Sequence, residues 1–276
     1  MVLEKLRLDG PPRRVAIVTG GGRGLGREMA LALSEAGAEV CIASRTQSQL
    51  GDTASFIEAR TGRRPLTVSM DVRDSKQCDA LIEQTVAHFG RLDILVNNAG
   101  IGDARGMGSR IDDYTDEDWA DAIAVNLNSA FYCSRAAVRV MREQGQGGAI
   151  VNVASGMALR MSPTALGYSA AKAGVMALTR SLAAQVVGEG IRVNGIVPGF
   201  VLQRPPETDE QREQVAQRGR FIPAQRLGEA WELGPLAVFL CSEASSYITG
   251  EHFIIDGGGL AGGIAPVGWP APGGEA

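Results

Sequence analysis

The sequence has little of several residue types on which particular functions depend. Only two histidines and four cysteines occur among its 276 residues, and they lie far apart instead of at the short spacings of metal ligands. We therefore predict no metal site. We also predict that the cysteines are reduced and mostly buried thiols; they are Cys41, Cys78, Cys133 and Cys241.

Long apolar runs and an excess of positive charge are missing as well. Lysine and arginine number 27 against 31 aspartates and glutamates, for a formal net charge of −4, so no overall positive field attracts nucleic acid or anionic lipid. Residues 1–12 are rich in charged side chains and lack the apolar stretch of a secretory signal, and no later run is long enough to span a bilayer. These absences predict a cytoplasmic protein without a nucleic-acid or membrane partner.

Glycine, in contrast, is abundant at 36 residues, while apolar residues make up 45% of the chain and charged residues 21%. This balance is typical of a globular protein rather than of a low-complexity chain. Repeated strand–helix–strand order predicts a parallel sheet with helices on both faces. The predicted strands are seven short β-branched runs, over residues 15–19, 40–43, 66–70, 92–96, 149–153, 191–197 and 253–255.

No proline-rich linker or change of composition divides most of the chain. We therefore expect an α/β protein with one doubly wound Rossmann-type domain over residues 1–263, built on a seven-stranded parallel sheet. The Pro/Gly-rich tail over residues 264–276 favours disorder over docking on a neighbouring subunit. Ligands of such sheets bind outside the carboxyl ends of the strands, so the residues at those ends are the candidates for function.

A glycine-rich turn follows the first predicted strand and reads Thr19-Gly-Gly-Gly-Arg-Gly-Leu-Gly26. Glycines let the backbone approach a pyrophosphate closely, and the N-terminus of the next helix supplies free N–H groups and the positive end of its dipole. A glycine pattern alone is weak evidence, but its position between a strand and a helix favours a dinucleotide site. The spacing differs from the usual G-x-G-x-x-G, because three residues separate Gly20 from Gly24.

The second predicted strand ends at Ser44 and Arg45, where dinucleotide folds often have a carboxylate that binds the ribose 2′-hydroxyl. Here Ser44 can donate to a 2′-phosphate, Arg45 can pair with it, and Arg23 projects from the glycine turn toward the same end. This predicts NADPH or NADP in preference to NADH or NAD, unless Arg45 is simply a solvated residue of the next loop. After the third strand, Asp71 either accepts from the adenine amino group or caps a helix.

A serine, a tyrosine and a lysine follow the fifth predicted strand. Ser155 ends the strand, and Tyr168 and Lys172 share one helix face because they are four residues apart. Lowering the pKa of a phenol by about three units takes roughly 4 kcal/mol, which an adjacent ammonium and a positively charged nicotinamide can supply. Such a phenol gives a proton to a ketone or removes one from an alcohol. The pair by itself also fits a packed helix face, but the glycine turn favours a site.

Together these residues resemble the short-chain dehydrogenase/reductase family over residues 13–260, in its single-domain subgroup. Within the family the chain is similar to 3-oxoacyl-[acyl-carrier-protein] reductases and to sugar and polyol dehydrogenases. The resemblance depends on motifs that are specific in combination. They are Thr19-Gly-x-x-x-Gly-x-Gly26, Asn97-Asn98-Ala99-Gly100, Asn126, Ser155, Tyr168-x-x-x-Lys172, Pro198-Gly199 and Ile255-Asp256-Gly257-Gly258.

The resemblance implies roles for most of these residues. Tyr168 is implied as the general acid and base, with Lys172 binding the nicotinamide ribose and depressing the tyrosine pKa. Ser155 is implied to orient the substrate, and Asn126 to hold a water that relays protons. A homotetramer or dimer built on the helices of Asn126 and Tyr168 is also implied. The other implied or predicted cofactor contacts are Gly20, Gly22, Arg23, Gly24, Leu25, Gly26, Ser44, Arg45, Asp71, Val72, Asn98, Ala99, Gly100, Pro198, Gly199 and Val201.

The sequence leaves the substrate open. Gln203 replaces a threonine that the family often has beside the nicotinamide carboxamide, and the long loop over residues 102–113 borders the expected pocket. The expected pocket wall, which includes Met157 and Ala165, is largely apolar, and this favours an apolar or cyclic ketone or a 3-oxoacyl thioester. The leading hypothesis is a reversible NADPH-dependent carbonyl reductase; the alternative is a cofactor-binding regulatory protein without turnover.

Overall fold

The computed structural model describes residues 3–101 and 108–262. The predicted tail and the first part of the loop over residues 102–113 lie outside the described residues. The strands are β1 Val15–Thr19, β2 Glu39–Ser44, β3 Leu66–Ser69, β4 Ile94–Asn97, β5 Gly148–Val153, β6 Ile191–Pro198, β7 Val201–Leu202, β8 Gly228–Glu229 and β9 His252–Ile255. The α-helices are α1 Gly24–Glu35, α2 Gln47–Thr61, α3 Ser75–Phe89, α4 Asp116–Ile123, α5 Ser129–Gln144, α6 Leu166–Val186, α7 Asp209–Gly219 and α8 Gly234–Cys241.

Seven of these strands form one parallel sheet in the order β3-β2-β1-β4-β5-β6-β9. The predicted Rossmann-type α/β architecture is therefore confirmed. The chain runs outward from β1 to β3 on one side and then crosses to β4 on the other, so the strand order reverses between β1 and β4. That reversal leaves a crevice at the carboxyl ends of these two strands, which is where ligands of doubly wound sheets bind. A separate short pair, β7 with β8, lies just after β6.

Both faces of the sheet are covered, which explains why its strands are apolar without alternation. All five residues of β1 are buried. Ile17 belongs to the core cluster that includes residues of α3 and α5, whereas Val18 belongs to the cluster that includes residues of α1 and α8. Consecutive side chains of one strand thus enter two separate cores. The four cysteines are buried free thiols, as predicted.

The start of β4 differs from the sequence prediction, which placed it at Leu92. The backbone N–H of Leu92 donates to Gln144 Oε1 over 2.8 Å, and Gln144 Nε2 donates to the Leu92 carbonyl over 2.8 Å. Because a side chain already satisfies both backbone groups of Leu92, the ladder with the neighbouring strands begins at Ile94. The strand also extends one residue further than predicted, because Asn97 pairs with Asn152 of β5.

Two glycines in helices allow a stability test in which the same substitution is expected to have opposite effects. A Cβ at Gly26 in α1 would lie against the Gly20 carbonyl and 2.5 Å from Asn98 Nδ2, whereas a Cβ at Gly51 in α2 would meet nothing within 4 Å. We expect Gly51→Ala to stabilise the protein by about 0.5–1 kcal/mol, because alanine loses less backbone entropy in a helix. We expect Gly26→Ala to destabilise it by about 1–3 kcal/mol through overpacking. Urea unfolding measures both, and midpoints that shift in the same direction would contradict the close approach at Gly26.

Candidate active site

The glycine turn leaves the N-terminus of α1 with free hydrogen-bond donors. α1 has no side-chain cap and no acidic residue in its first turn, whereas α3 and α7 are capped by Asp74 and Thr208. Gly20 and Gly24 have φ of +66° and +54°, a left-handed conformation that favours glycine. The first N–H groups of α1 therefore face the crevice without a partner of their own, which is the arrangement that binds phosphate.

The end of β4 is fastened directly to this turn. Asn98 Nδ2 donates to the Thr19 carbonyl over 3.0 Å, and the backbone N–H groups of Asn98 and Ala99 each donate to Thr19 Oγ1 over 3.1 Å. A Cβ at Gly20 would lie 2.8 Å from Asn98 Nδ2 and 3.0 Å from the Ala99 Cα. The turn after β1 and the segment after β4 thus form one continuous wall of backbone, and larger side chains at Gly20 would separate them.

At the end of β2, Ser44 presents an unsatisfied polar atom toward the glycine turn. Its Oγ is buried and has no hydrogen-bond partner, and it would lie 2.8 Å from a Cβ at Gly22. Such an orphaned hydroxyl beside a glycine cradle fits the ribose end of a dinucleotide, because buried polar groups normally have partners. Arg23 and Arg45 are both exposed, and across residues 3–101 and 108–262 neither forms an ion pair with a carboxylate.

Asp71, on the loop after β3, does not cap a helix. The cap of α3 is Asp74, which accepts from the Lys76 N–H over 2.9 Å. The Asp71 carboxylate instead accepts from Arg73, with Nε to Oδ2 at 3.0 Å, and Arg73 Nη1 reaches Asp121 Oδ1 on α4 at 3.0 Å. These contacts lower the pKa of Asp71, chiefly through the hydrogen bond from Arg73. The carboxylate is therefore an oriented acceptor beside the buried Val72.

Ser155, Tyr168 and Lys172 come together at the carboxyl end of β5. Ser155 is extended, with φ −163°, and its Oγ accepts from the Met157 N–H over 3.2 Å at the start of a short 3₁₀ turn. Lys172 Nζ lies 5.7 Å from the centre of the Tyr168 ring on the same face of α6. The Nζ group also donates to the Val153 carbonyl over 2.8 Å, so the ammonium is held between α6 and β5.

Burial sets the acid–base properties of this pair. It lowers the pKa of Lys172 to about 8, because a charged amine is disfavoured in the interior. Burial raises the pKa of Tyr168 above its usual value, while a hydrogen bond with Ser155 acts in the opposite direction. The sequence suggested a lowered tyrosine pKa. The chain's own groups produce a raised one because desolvation outweighs the hydrogen bond.

Asn126 lies in a single turn of π-helix over Ala124–Asn128, between α4 and α5. Turns of this type are frequent at functional sites. Its Oδ1 accepts from the Ile101 N–H over 3.0 Å, and its Nδ2 donates to the Ala122 carbonyl over 3.1 Å. A Cβ at Gly100 would lie 2.9 Å from Asn126 Oδ1 and 3.2 Å from Lys172 Nζ. The Gly100 backbone therefore lies between the amide and the ammonium, and these polar atoms converge.

A buried polar network beneath the site was not predicted as functional. Asn97 Nδ2 donates to Asn152 Oδ1 over 2.8 Å and to Ser134 Oγ over 2.9 Å, and Asn152 Nδ2 donates to Thr179 Oγ1 over 2.9 Å. The network joins β4, β5, α5 and α6 just below Ser155 and Tyr168. Its signal in the sequence was present but weak: two asparagines stand in strands that are otherwise apolar.

The segment after β6 runs from the neighbourhood of Ser155 to the glycine turn. A Cβ at Gly156 would lie 3.5 Å from the Pro198 carbonyl, and one at Gly199 would lie 2.6 Å from Asp256 Cβ. Val201 is half-buried in β7. Gln203 lies further along, where its Oε1 is against Gly24. The structure thus places Gln203 at the glycine turn, while the half-buried Met157 and the buried Ala165 lie near Ser155 and Tyr168 in the chain.

Comparisons with known proteins agree with this geometry. A family model described as enoyl-(acyl carrier protein) reductase matches residues 20–259. A 2-dehydro-3-deoxy-D-gluconate 5-dehydrogenase of Escherichia coli (strain K12) is 37% identical over 271 residues, covering 95% of this chain and 100% of the relative. A 3-oxoacyl-[acyl-carrier-protein] reductase of Haemophilus influenzae is 38% identical, covering 89% of this chain and 97% of the relative.

A solved short-chain type dehydrogenase/reductase of Mycobacterium marinum superposes with a TM-score of 0.84 and 33% identity, over 94% of this chain and 98% of that one. This chain belongs to the short-chain dehydrogenase/reductase family. The resemblance inferred from the motifs is therefore confirmed, and with it the assignment as an oxidoreductase. Membership of the short-chain dehydrogenase/reductase family implies a nicotinamide cofactor, NAD or NADP.

Two kinds of feature are absent from the described part of the short-chain dehydrogenase/reductase. Within residues 3–101 and 108–262, histidine, cysteine and acidic side chains nowhere gather in groups of three or more that could hold a metal ion. No helix in the same part of the chain combines the length and apolar character needed to cross a bilayer.

The shifted pKa of Lys172 makes the stability of the short-chain dehydrogenase/reductase depend on pH. Its folded-state pKa of about 8 is below the ordinary 10.5, so between these values the unfolded chain binds more protons than the folded one. Stability contributed by this group is thus present above about pH 10.5 and is lost as pH falls to about 8. We expect the wild type to gain up to roughly 3 kcal/mol across this window relative to Lys172→Met.

Urea unfolding at several pH values measures this difference. The matched control is Lys76→Met, because Lys76 is an exposed lysine at the start of α3. We expect the control and the wild type to have parallel pH profiles. Parallel profiles for Lys172→Met and the wild type would contradict a lowered pKa at Lys172.

Proposed function

We propose that this short-chain dehydrogenase/reductase is an NADP(H)-dependent enzyme that reduces a ketone to a secondary alcohol and runs in both directions. The observation that supports this most is the convergence of Ser155, Tyr168, Lys172 and Asn126 beside the glycine turn. The four side chains come from three local structures: Ser155 from the end of a strand, Tyr168 and Lys172 from one helix face, and Asn126 from a π-helical turn. A structural role alone does not require these four polar groups at one sheet edge.

The preference for a 2′-phosphorylated cofactor is supported at the end of β2. Ser44 Oγ is buried without a partner, and Arg23 and Arg45 are exposed cations that form no ion pair in the described part of the chain, although the charge of Arg45 helps to lower the pKa of Asp71. A phosphate at this position would accept from the hydroxyl and pair with both guanidinium groups. In contrast, a free ribose 2′-hydroxyl would gain no charge pairing here.

In the proposed reaction Ser155 and Tyr168 act on the carbonyl oxygen of the substrate. A nicotinamide dinucleotide, when bound, supplies the hydride and, in its oxidised form, a positive charge near the phenol. Ser155 Oγ donates to the carbonyl oxygen and orients it. The Tyr168 phenol gives its proton to that oxygen during reduction and takes it back during oxidation. The raised pKa of Tyr168 keeps the phenol protonated at neutral pH, which suits the reductive direction.

Lys172 and Asn126 act behind the tyrosine. With a pKa of about 8, Lys172 is mostly charged at pH 7 and stabilises the phenolate electrostatically. The same pKa lets Nζ release a proton near neutral pH, so it can pass protons toward Tyr168. Asn126 Oδ1, which accepts from the Ile101 N–H at 3.0 Å, provides an acceptor that lies near Gly100, as Nζ does. We propose that a water bound between these groups completes the path to solvent.

We propose that the substrate is an apolar or cyclic ketone or a 3-oxoacyl thioester. The half-buried Met157, together with Leu159 and Met161, which are 46% and 60% exposed, forms an apolar edge near Ser155. Of the relatives named above, the 3-oxoacyl-[acyl-carrier-protein] reductase supports the thioester, whereas the 2-dehydro-3-deoxy-D-gluconate 5-dehydrogenase does not distinguish between these substrates.

Location and assembly follow as further parts of the proposal. The four cysteines are free and buried, which is typical of a reducing compartment such as the cytoplasm. Trp119 on α4 and Phe131 on α5 are 43% and 45% exposed. These apolar side chains support a homotetramer or dimer built on the helices of Asn126 and Tyr168.

Replacing the phenol tests the chemistry directly. We expect Tyr168→Phe to reduce kcat for carbonyl reduction by about 100-fold or more, because the proton donor is lost. We expect the Kd for NADPH to change less than about threefold. The measurements are NADPH oxidation with a panel of carbonyl substrates and fluorescence titration of the cofactor. Unchanged turnover would contradict the mechanism, and NADPH binding without any turnover by the wild type would favour a regulatory protein.

The cofactor preference has its own test at Ser44 and Arg45. We expect the double variant Ser44→Ala, Arg45→Gln to raise the Kd for NADPH about tenfold or more while changing that for NADH about twofold or less, because only NADPH has the 2′-phosphate. Arg64→Gln is the control, since Arg64 pairs with Glu58 on α2. Tighter binding of NADH than NADPH by the wild type would show that the assignment is wrong.

A further inference from the structure

A small cavity lies between the chain after β7 and helix α7. It has a volume of about 300 Å³ and is lined by Arg204, Pro205, Pro206, Glu207, Gln211, Gln214, Val215 and Arg218. This volume is at the lower limit of ligand-binding pockets in proteins. Two cations and two amides surround it, whereas its apolar lining consists only of two prolines and one valine.

The two arginines of this cavity differ from Arg212 and Arg226, which both pair with carboxylates, although Arg220 has no such partner in the described chain either. Arg212 pairs with Asp209 over 2.7 Å, and Arg226 pairs with Glu232 over 2.7 Å. Arg204 and Arg218 have no such partner within the part of the chain that the structure describes. Both are exposed side chains that line one cavity, so an anion there would be attracted by two positive charges.

Helix α7 is also unusual because packing does not account for it. Of its residues Asp209–Gly219 only Gly219 is buried, so it lacks the apolar face of a helix that packs on a core. A capping box holds its start: Thr208 Oγ1 accepts from the Gln211 N–H, and Gln211 Oε1 accepts from the Thr208 N–H. The helix is thus locally stabilised and presents polar side chains to the cavity.

The cavity adjoins the site already described. Arg204 directly follows Gln203, whose side chain lies against Gly24 in the glycine turn. A ligand bound at the glycine turn can therefore also reach Arg204, because only Gln203 separates the two. The charge of two arginines suits a phosphate group, which is anionic at neutral pH, although Glu207 opposes part of this attraction.

We propose that Arg204 and Arg218 bind a phosphate group carried by a ligand of this cleft. The proposal rests on the function proposed above, because that function supplies the ligand. The phosphate belongs either to the substrate, at a distance from its carbonyl group, or to the diphosphate of the cofactor, since the 2′-phosphate is assigned above to Ser44 and Arg45. Both sources share the same chemistry at the two guanidinium groups, and they differ in whether NADPH blocks the cavity.

Titration with inorganic phosphate tests this without turnover. The measurement is the Kd for phosphate by calorimetry at low ionic strength, with and without saturating NADPH. We expect Arg204→Gln and Arg218→Gln each to raise the Kd at least about fivefold. We expect Glu207→Gln to lower it, because a repelling carboxylate is removed. The matched control is Arg212→Gln on the same helix, for which we expect less than a twofold change.

The titration distinguishes a phosphate of the substrate from one of the cofactor, and it tests the phosphate site separately from the proposed carbonyl reduction. Arginine-dependent phosphate binding that persists with NADPH supports a phosphate on the substrate, and binding that NADPH abolishes supports a phosphate of the cofactor. Phosphate binding that is absent, or equal in the wild type and both arginine variants, overturns the proposal. Because this titration needs no carbonyl reduction, a failure of the proposed function leaves its result unchanged and is recognised separately by the Tyr168→Phe assay.

Discussion

The hydrogen bonds between the end of β4 and the turn after β1 are the contact on which the site depends. Asn98 and Ala99 bind Thr19 through three contacts of 3.0–3.1 Å, and they do so where the strand order reverses. These bonds hold the glycine turn open at the N-terminus of α1, and they also direct Gly100 toward Asn126 and Lys172. One small set of backbone and amide contacts thus joins the phosphate-binding end of the crevice to its acid–base end.

Burial then determines the chemistry at that second end. Lys172 is held by a backbone carbonyl and has no carboxylate partner in the described structure, so desolvation lowers its pKa to about 8. The same desolvation raises the pKa of Tyr168. The two shifts bring the pKa of the lysine close to neutral pH and keep the phenol protonated. A proton donor that is resupplied by a neighbouring group requires this combination. The asparagine network beneath β4 and β5 holds the elements that carry both residues.

Much of the fold was predictable because its signals are local. Apolar runs such as Val15–Thr19 are continuous since both faces of the sheet are covered. The glycine turn marks the start of α1, the helix that connects β1 to β2. The errors were at strand ends, for example at Leu92, where the Gln144 side chain replaces the strand ladder. A glutamine 52 residues away in the chain is invisible to a local pattern. The roles of Asn97 and Asn152 were missed for the same reason, since their partners lie on other elements.

The sequence by itself determined the order of strands and helices, the family and the identity of the polar residues at the strand ends, because these depend on short motifs and periodicity. Only the tertiary structure decided which groups meet. It placed Gln203 at Gly24, bound Asp71 to Arg73 instead of leaving it to cap a helix, and left Ser44 Oγ, Arg204 and Arg218 without partners in the described chain. Burial and partner choice arise from contacts between distant segments, and these contacts exist only after the chain has folded.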